Sequence, residues 1–408
     1  MVQSNEGKLT RKTWESAIDE QIKYVEHSLD NLEAKIKLSI LYRVSGNYSE
    51  FSKLFSNILL EEKEYLKDDK LGYRKLVLYD NGQSRIEFYK KLQHTERVII
   101  TFDSIFMTWD NPSFAFKLLS EQNMDIIAIR KKEKSTYQQD LSQEEFIEVV
   151  SPLMQGYTDK MAYGFSLGAY NTLYYASMLD CRIMAMSPRL SIHPEYGRTK
   201  IIPKFKMLDN ELLPKNPKIK PIIVYDPKNS LDKRYVKEGI LPSFPNATEV
   251  KIPYVGHGLA PQLLKMGLLK SFVYDFLQNK TPVYDRAKKI KSNTYYTNLG
   301  NACYQRNKLN WALNLVNKSI ELESKSKEAT KLKIKILKKQ TRIKDACSFA
   351  KEAIHRIPNN LDLRLYLVDI FIELGEYLKA DDEIKRCIHK FGENYSIRKR
   401  IKNLKDLV

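Results

Sequence analysis

The stretch MAYGFSLGAYNT, Met161–Thr172, sets a serine between two glycines, Gly164 and Gly168. Such a pentapeptide is either an ordinary tight turn or the seat of a nucleophile, and its flanks decide between them. Apolar Met161–Tyr163 lead into it as a strand would, and AYNTLYYASMLD follows as an amphipathic helix. Strand, G-x-S-x-G, helix is the setting in which a serine sits on a strained turn, with glycines keeping side chains off the crowded backbone. The alternative is a glycine-rich turn in another parallel-sheet protein.

The surroundings carry the same rhythm. Short β-rich runs alternate with helical stretches: KLVLYD (75–80), RVIITF (97–102), DIIAIR (125–130), KMAYGF (160–165), CRIMAMS (181–187), PIIVYD (221–226) and TEVKIPY (248–254). Between them SQEEFIEVVSPLM opens with Ser142 and Glu145 in capping-box spacing. Continuously apolar strands alternating with helices imply an α/β domain whose mostly parallel sheet is covered on both faces. This domain is expected over residues 71–280.

A serine hydroxyl attacks only when a base removes its proton, so Ser166 requires a histidine. Of the six in the chain, His27 falls in N-terminal helical sequence, His355 and His389 in the C-terminal third, and His94 before the serine. His193 would enter one strand early. His257, in YVGHGLA, follows the strand TEVKIPY and precedes a helix, so it is the expected base. An orienting carboxylate belongs after the preceding strand. Asp232 suits a loop that places the acid several residues on, and Asp226, at the strand end, is the alternative. Oxyanion donors are expected from the amide of Leu167 and from Ser104 or Ile105, in the loop DSIFMTWDN after RVIITF. That loop lacks an HGGG-type sequence. Asp103 would be unhelpful beside an oxyanion, so its side chain is expected to point elsewhere. Arg189, in MSPRL, is a candidate holder of a carboxylate or phosphate, against the commoner role of a surface ion pair.

Serine, acid, histidine in this order on a strand–helix scaffold resembles the α/β-hydrolase superfamily over about residues 71–280. GFSLGAYNTLYYAS followed by CRIMAMSPRLSI looks like hydrolase-like proteins of bacterial surface-polysaccharide gene clusters. The resemblance implies acyl transfer through an acyl-serine, by an esterase or by an O-acetyltransferase. The first needs no cofactor; the second would draw on acetyl-CoA as acyl donor. The implied substrates are a small acyl ester or an acidic glycan.

The C-terminal third has its own period. Ala312, Ala346 and Ala380 recur at 34 residues, as do Ser319, Ala353 and Cys387. YYTNLGNACYQRNKLNWALNLVNKSIELES resembles a tetratricopeptide repeat, with Leu299, Gly300, Trp311 and Ala312 in the pattern's places and Pro358 closing the second unit. The second unit is looser, with Lys333 and Ile334 where the first has Leu299 and Gly300. A helical solenoid over residues 281–408 implies a protein partner. Residues 1–70 form a helical extension; Leu38, Tyr42, Gly46, Tyr48, Phe51, Phe55 and Ile58 loosely repeat the hairpin pattern.

Bulk properties narrow the remainder. Net charge is +18, and residues 285–408 hold 28 Lys+Arg against 15 Asp+Glu, so 28 − 15 = +13 lies in the repeats. A basic surface favours acidic partners (an anionic glycan, phosphorylated lipid, a membrane face or nucleic acid), against the alternative of a Lys-rich solvated surface. Tyrosines at helical spacing point to core rather than to specific nucleic-acid binding. No phosphate-binding glycine loop and no metal-ligand spacing is present, so no metal is expected. Cys181, Cys303, Cys347 and Cys387 lack pair spacing and are expected as buried thiols. With no apolar leader and no run near ~18 apolar residues, a cytoplasmic protein is expected, with peripheral membrane contact open to it.

Overall fold

Every apolar run anticipated between residues 75 and 254 forms a strand in the computed structural model, which describes residues 11–27, 31–45, 47, 50, 53–54, 72–91, 93–193, 195–197 and 213–407. The strands are β1 (Tyr73–Asp80), β2 (Ser84–Lys91), β3 (Arg97–Phe102), β4 (Asp125–Lys131), β5 (Asp159–Phe165), β6 (Arg182–Met186), β7 (Ile222–Tyr225) and β8 (Thr248–Lys251). They form one eight-stranded sheet in the order β1-β2-β4-β3-β5-β6-β7-β8. From β4 through β8 the neighbours are parallel, so the carboxyl ends of these strands share one edge. A mostly parallel eight-stranded sheet with helices packed on it is the α/β architecture anticipated from the sequence.

The apolar runs do not announce β2. It pairs antiparallel with both β1 and β4, so the sheet is mixed at this end rather than parallel throughout. SRIEFYKK has only three strongly apolar residues, and Ser84, Glu87 and Lys90 are nonetheless buried. The available signal was the turn: Asn81-Gly82, with Gly82 at φ +81°, is a hairpin dipeptide.

Contacts divide the chain into two compact units. The first comprises Met1–Tyr225, Ser230–Lys251 and Val273–Pro282; the second comprises Asp226–Asn229, Ile252–Phe272 and Val283–Val408. In the first, helices α1 (Arg11–His27) and α2 (Leu32–Val44) bury Ile18, Val25, Ala34 and Leu38 against each other. Of the anticipated N-terminal hairpin positions, Gly46, Tyr48, Phe51, Phe55 and Ile58 lie outside the described residues. Helices α3 (Gln143–Met154) and α4 (Leu167–Tyr175) share one core with the sheet, joining Phe146, Val150, Tyr170 and Leu173 to Ile100, Phe102, Ile127 and Ile129. The anticipated capping box is formed: Ser142 accepts from the Glu145 amide at 3.1 Å, and Glu145 from the Ser142 amide at 2.8 Å.

The second unit contains α5 (Leu259–Met266) and a tetratricopeptide-like solenoid. Its helices are α6 (Asn293–Gln305), α7 (Leu309–Leu322), α8 (Lys327–Lys339), α9 (Ile343–Arg356), α10 (Leu361–Glu373), α11 (Tyr377–Phe391) and α12 (Tyr395–Lys405). Ala312, Ala346, Ala380, Ser319, Ala353 and Cys387 are all fully buried, as small residues at helix crossings should be. Gly300 has the same role: a Cβ there would lie 3.0 Å from the Val316 side chain. All four cysteines are free and buried.

The 34-residue period also governs the helix ends. Ser292, Ser326, Asn360 and Asn394 are N-caps whose side chains accept from the amides of Tyr295, Ala329, Leu363 and Ile397. At the hairpin turns, Asn307, Thr341 and Gly375 have φ of +59°, +61° and +71°. The repeat thus persists in its caps where its apolar residues diverge, because each first helix ends its amide ladder in the same way. Replacing Asn360 with Ala is expected to lower the solenoid's stability by about 1 kcal/mol, with Asn360→Ser restoring most of it, as read by urea unfolding.

Candidate active site

Ser166 stands between the end of β5 and the first residue of α4, with φ +56° and ψ −117°. That conformation is costly for a residue with a Cβ, and the neighbouring backbone holds it in place. Its amide donates to Met186 at 2.9 Å, while its carbonyl accepts from Tyr170 and Arg189, both at 3.1 Å. The two glycines are obligatory for a steric reason. A Cβ on Gly164 would lie 2.3 Å from the Gly168 carbonyl oxygen, and one on Gly168 would lie 2.3 Å from that of Phe102. The first turn of α4 is therefore pressed against β3 and β5, and Leu167 opens the helix where backbone amides lack intrahelical acceptors.

The loop after β3 carries the other anticipated donors, Ser104 and Ile105, and two buried cations at the end of β4 hold it. Arg130 donates to the Asp103 carboxylate at 2.7 Å, to Glu87 at 3.1 Å, and to the carbonyls of Thr108 and Asn111 at 2.8 and 2.6 Å. Asp103 is thereby taken up by an ion pair. Lys131 donates to the carbonyls of Ser104 and Met107. A trans peptide directs its N–H opposite to its C=O, so the clamp on the Ser104 carbonyl also orients the Ile105 amide. Burial pulls the Lys131 ammonium down to about 8, against the attraction of Asp103. Sequence reasoning missed both cations. The available signal was a basic pair, Arg130-Lys131, ending an otherwise apolar strand.

The two candidate acids have different partners. Asp232, fully buried, pairs with the guanidinium of Arg189, itself 2% exposed. Arg189 is thus in a buried ion pair, where a surface pair was the commoner expectation. Asp226, directly after β7, accepts from the amides of Lys228 (2.8 Å), Tyr254 (3.0 Å) and Gly256 (2.7 Å). The latter two belong to the loop that carries His257. Tyr254 lies at φ +66° and Gly256 at +69°, and Asn298 of α6 donates to the Tyr254 carbonyl at 3.0 Å. Asp226 and Asn298 therefore grip the loop immediately ahead of the histidine. Asn298 carries no sequence signal, since its partner is a backbone atom 44 residues away.

The other histidines have structural places. His193 accepts the amides of Glu195 and Tyr196 on Nδ1, and His94 precedes β3 at the sheet's amino edge. His27, His355 and His389 lie in α1, α9 and α11. Among the described residues no His/Cys/Asp/Glu cluster suits a metal ion, and no helix is long and apolar enough to cross a membrane.

No known protein family's sequence profile matches the chain, nor does any curated protein. Solved structures do resemble it. A predicted CIB-like hydrolase of Thermoplasma acidophilum is 16% identical over 51% of this chain and 98% of its own, with a TM-score of 0.34. An esterase of Pyrococcus furiosus is 13% identical over 51% and 92%, TM-score 0.37. The tetratricopeptide domain of Arabidopsis OM64 is 16% identical over 29% and 99%, TM-score 0.27.

Two outcomes test the local geometry. Gly168→Ala forces a Cβ into the Phe102 carbonyl and is expected to cost about 3 kcal/mol or more, measured by urea unfolding; an effect below about 1 kcal/mol would contradict the packing described. Lys131 releases its proton at about 8 in the folded chain and at its ordinary 10.5 when unfolded. The unfolded state therefore binds more protons between those values, so folding stability rises with pH across that window and falls as pH drops through 8. Lys131→Met should remove this contribution, seen as a flatter stability–pH curve than the wild type's between pH 8 and 10.5.

Proposed function

We propose that the chain is a serine-dependent acyl-transfer enzyme working through an acyl-serine intermediate. The observation that carries this reading is the backbone of Ser166, held at φ +56° between a strand and a helix by glycines that no other residue can replace. A strained strand-to-helix turn of this kind sets a serine hydroxyl beside helix amides that lack intrahelical acceptors, as a nucleophile requires.

In the proposed cycle the Ser166 hydroxyl adds to the acyl carbonyl as His257 takes its proton. The amides of Leu167 and of Ser104 or Ile105 hold the oxyanion, and His257 returns the proton to the departing group. Water or a second hydroxyl, deprotonated by His257, then releases the acyl group. Asp226 takes the orienting role in preference to Asp232, because its carboxylate already organises the histidine's loop, while Asp232 balances Arg189. With water as acceptor the protein is an esterase. With a sugar hydroxyl of an acidic bacterial surface polysaccharide it is an O-acetyltransferase drawing on acetyl-CoA, a reading favoured by the +13 charge of the repeats. The solenoid would add a protein partner.

A fluorophosphonate probe should label the wild type and leave Ser166→Ala unlabelled, and hydrolysis of a short nitrophenyl ester should fall about 10³-fold or more in that variant. Asp226→Asn should lower kcat by roughly 10²–10⁴-fold with the fold intact, whereas Asp232→Asn should destabilise by about 3–5 kcal/mol through the stranded Arg189. Equal labelling of a folded Ser166→Ala protein would leave the scaffold reading, in which the repeats bind a partner and the serine is dispensable. Transfer of label from acetyl-CoA to an acidic glycan separates transferase from esterase.

A further inference from the structure

At the opposite edge of the sheet from Ser166, a cavity of about 540 Å³ opens at the amino ends of β5, β6, β7 and β8. Six residue steps of β5, about 20 Å, separate Asp159 at this edge from Phe165 at the other. The volume lies within the roughly 300–1,000 Å³ of small-molecule sites. Ile183, Phe276, Tyr157 and Ile219 pack beneath it as buried core, and the surface it presents is mainly polar.

The rim is strongly basic. Lys160, Arg182, Lys218, Lys220 and Lys280 line the cavity, against Asp159 and Asp180. Asp159 is already committed, since its carboxylate receives Arg97 at 3.0 Å and Arg182 at 2.7 Å. Arg182 is likewise committed, its other nitrogen donating to the Phe276 carbonyl at 2.6 Å. Among the described residues, Lys160, Lys218 and Lys220 have no carboxylate within ion-pair distance. In the segment KIKP the chain alternates, turning Ile219 inward and leaving both lysines exposed. With Asp159 committed, Asp180 alone stands against Lys160, Lys218, Lys220 and Lys280 on this rim, a local excess of positive charge that attracts an anion.

We propose that this cavity binds a small ligand carrying two or more adjacent phosphate groups. The groups free to make contact are lysines, compact point charges that suit phosphate oxygens, whereas the planar guanidinium of Arg182 is occupied. The size of the cavity selects a small molecule over a bilayer face. The site lies a strand's length from Ser166 and does not rest on the acyl-transfer reading.

Inorganic triphosphate is the probe, titrated into the full chain by calorimetry at fixed ionic strength, with citrate as a polycarboxylate of comparable charge. The double variant Lys218→Glu/Lys220→Glu alters only exposed side chains and should weaken triphosphate binding about tenfold or more. Lys160→Ala is the milder second variant and should weaken it to a lesser degree. Lys399→Glu/Lys402→Glu, in the exposed face of α12, changes net charge equally and should leave the affinity within about twofold, as should Ser166→Ala. The proposal is overturned by equal loss in the two charge-reversed doubles, by citrate binding as tightly as triphosphate, or by no wild-type binding up to about millimolar ligand.

Discussion

The first turn of α4 can approach β3 and β5 only because two residues lack a Cβ. With Gly164 and Gly168 facing each other and the Phe102 carbonyl, the strand must turn at once into the helix, and Ser166 absorbs the change of direction at positive φ. Neighbouring elements of the same unit are tied to that point. The Ser166 carbonyl ties down Arg189, and its amide is tied to β6, so three neighbouring elements share one strained residue.

Such a turn needs rigid surroundings, and the chain supplies them with buried charge. Arg130, Asp103 and Glu87 form one cluster and Arg189 with Asp232 another, all at most 2% exposed. Buried pairs of this kind add little net stability, since removing each ion from water costs as much as the attraction returns. Their effect is geometric: a guanidinium satisfied by two carboxylates and two carbonyls admits a single arrangement of the loop from Asp103 to Asn111. Lys131 adds to this clamp from the adjacent position. The same logic at the amino edge ties Asp159 to Arg97 and Arg182, and there it leaves a surplus of lysines.

In the second unit the solenoid and the histidine loop share a fold. Asn298, on the first repeat helix, holds the Tyr254 carbonyl, while Asp226 holds the amides on either side of Val255. The repeats therefore do more than add length to the chain. The helix that begins them also sets the backbone from which His257 projects.

Much of this was legible in the chain itself because it depends on local chemistry. Apolar runs of strand length, the Ser142–Glu145 box and the glycines around Ser166 act over a few residues, and the 34-residue recurrence of alanine reflects one helical hairpin reused. The tertiary structure alone decided which charges meet. Arg189 and Asp232 are 43 residues apart, Lys131 and Ser104 27, and Asp226 and Gly256 30. No spacing encodes those pairs, because they follow from strand order and loop closure. It also decided that a charged segment, SRIEFYKK, would be a strand, since Glu87 and Lys90 become tolerable in the interior only once Arg130 and Asp125 stand opposite them.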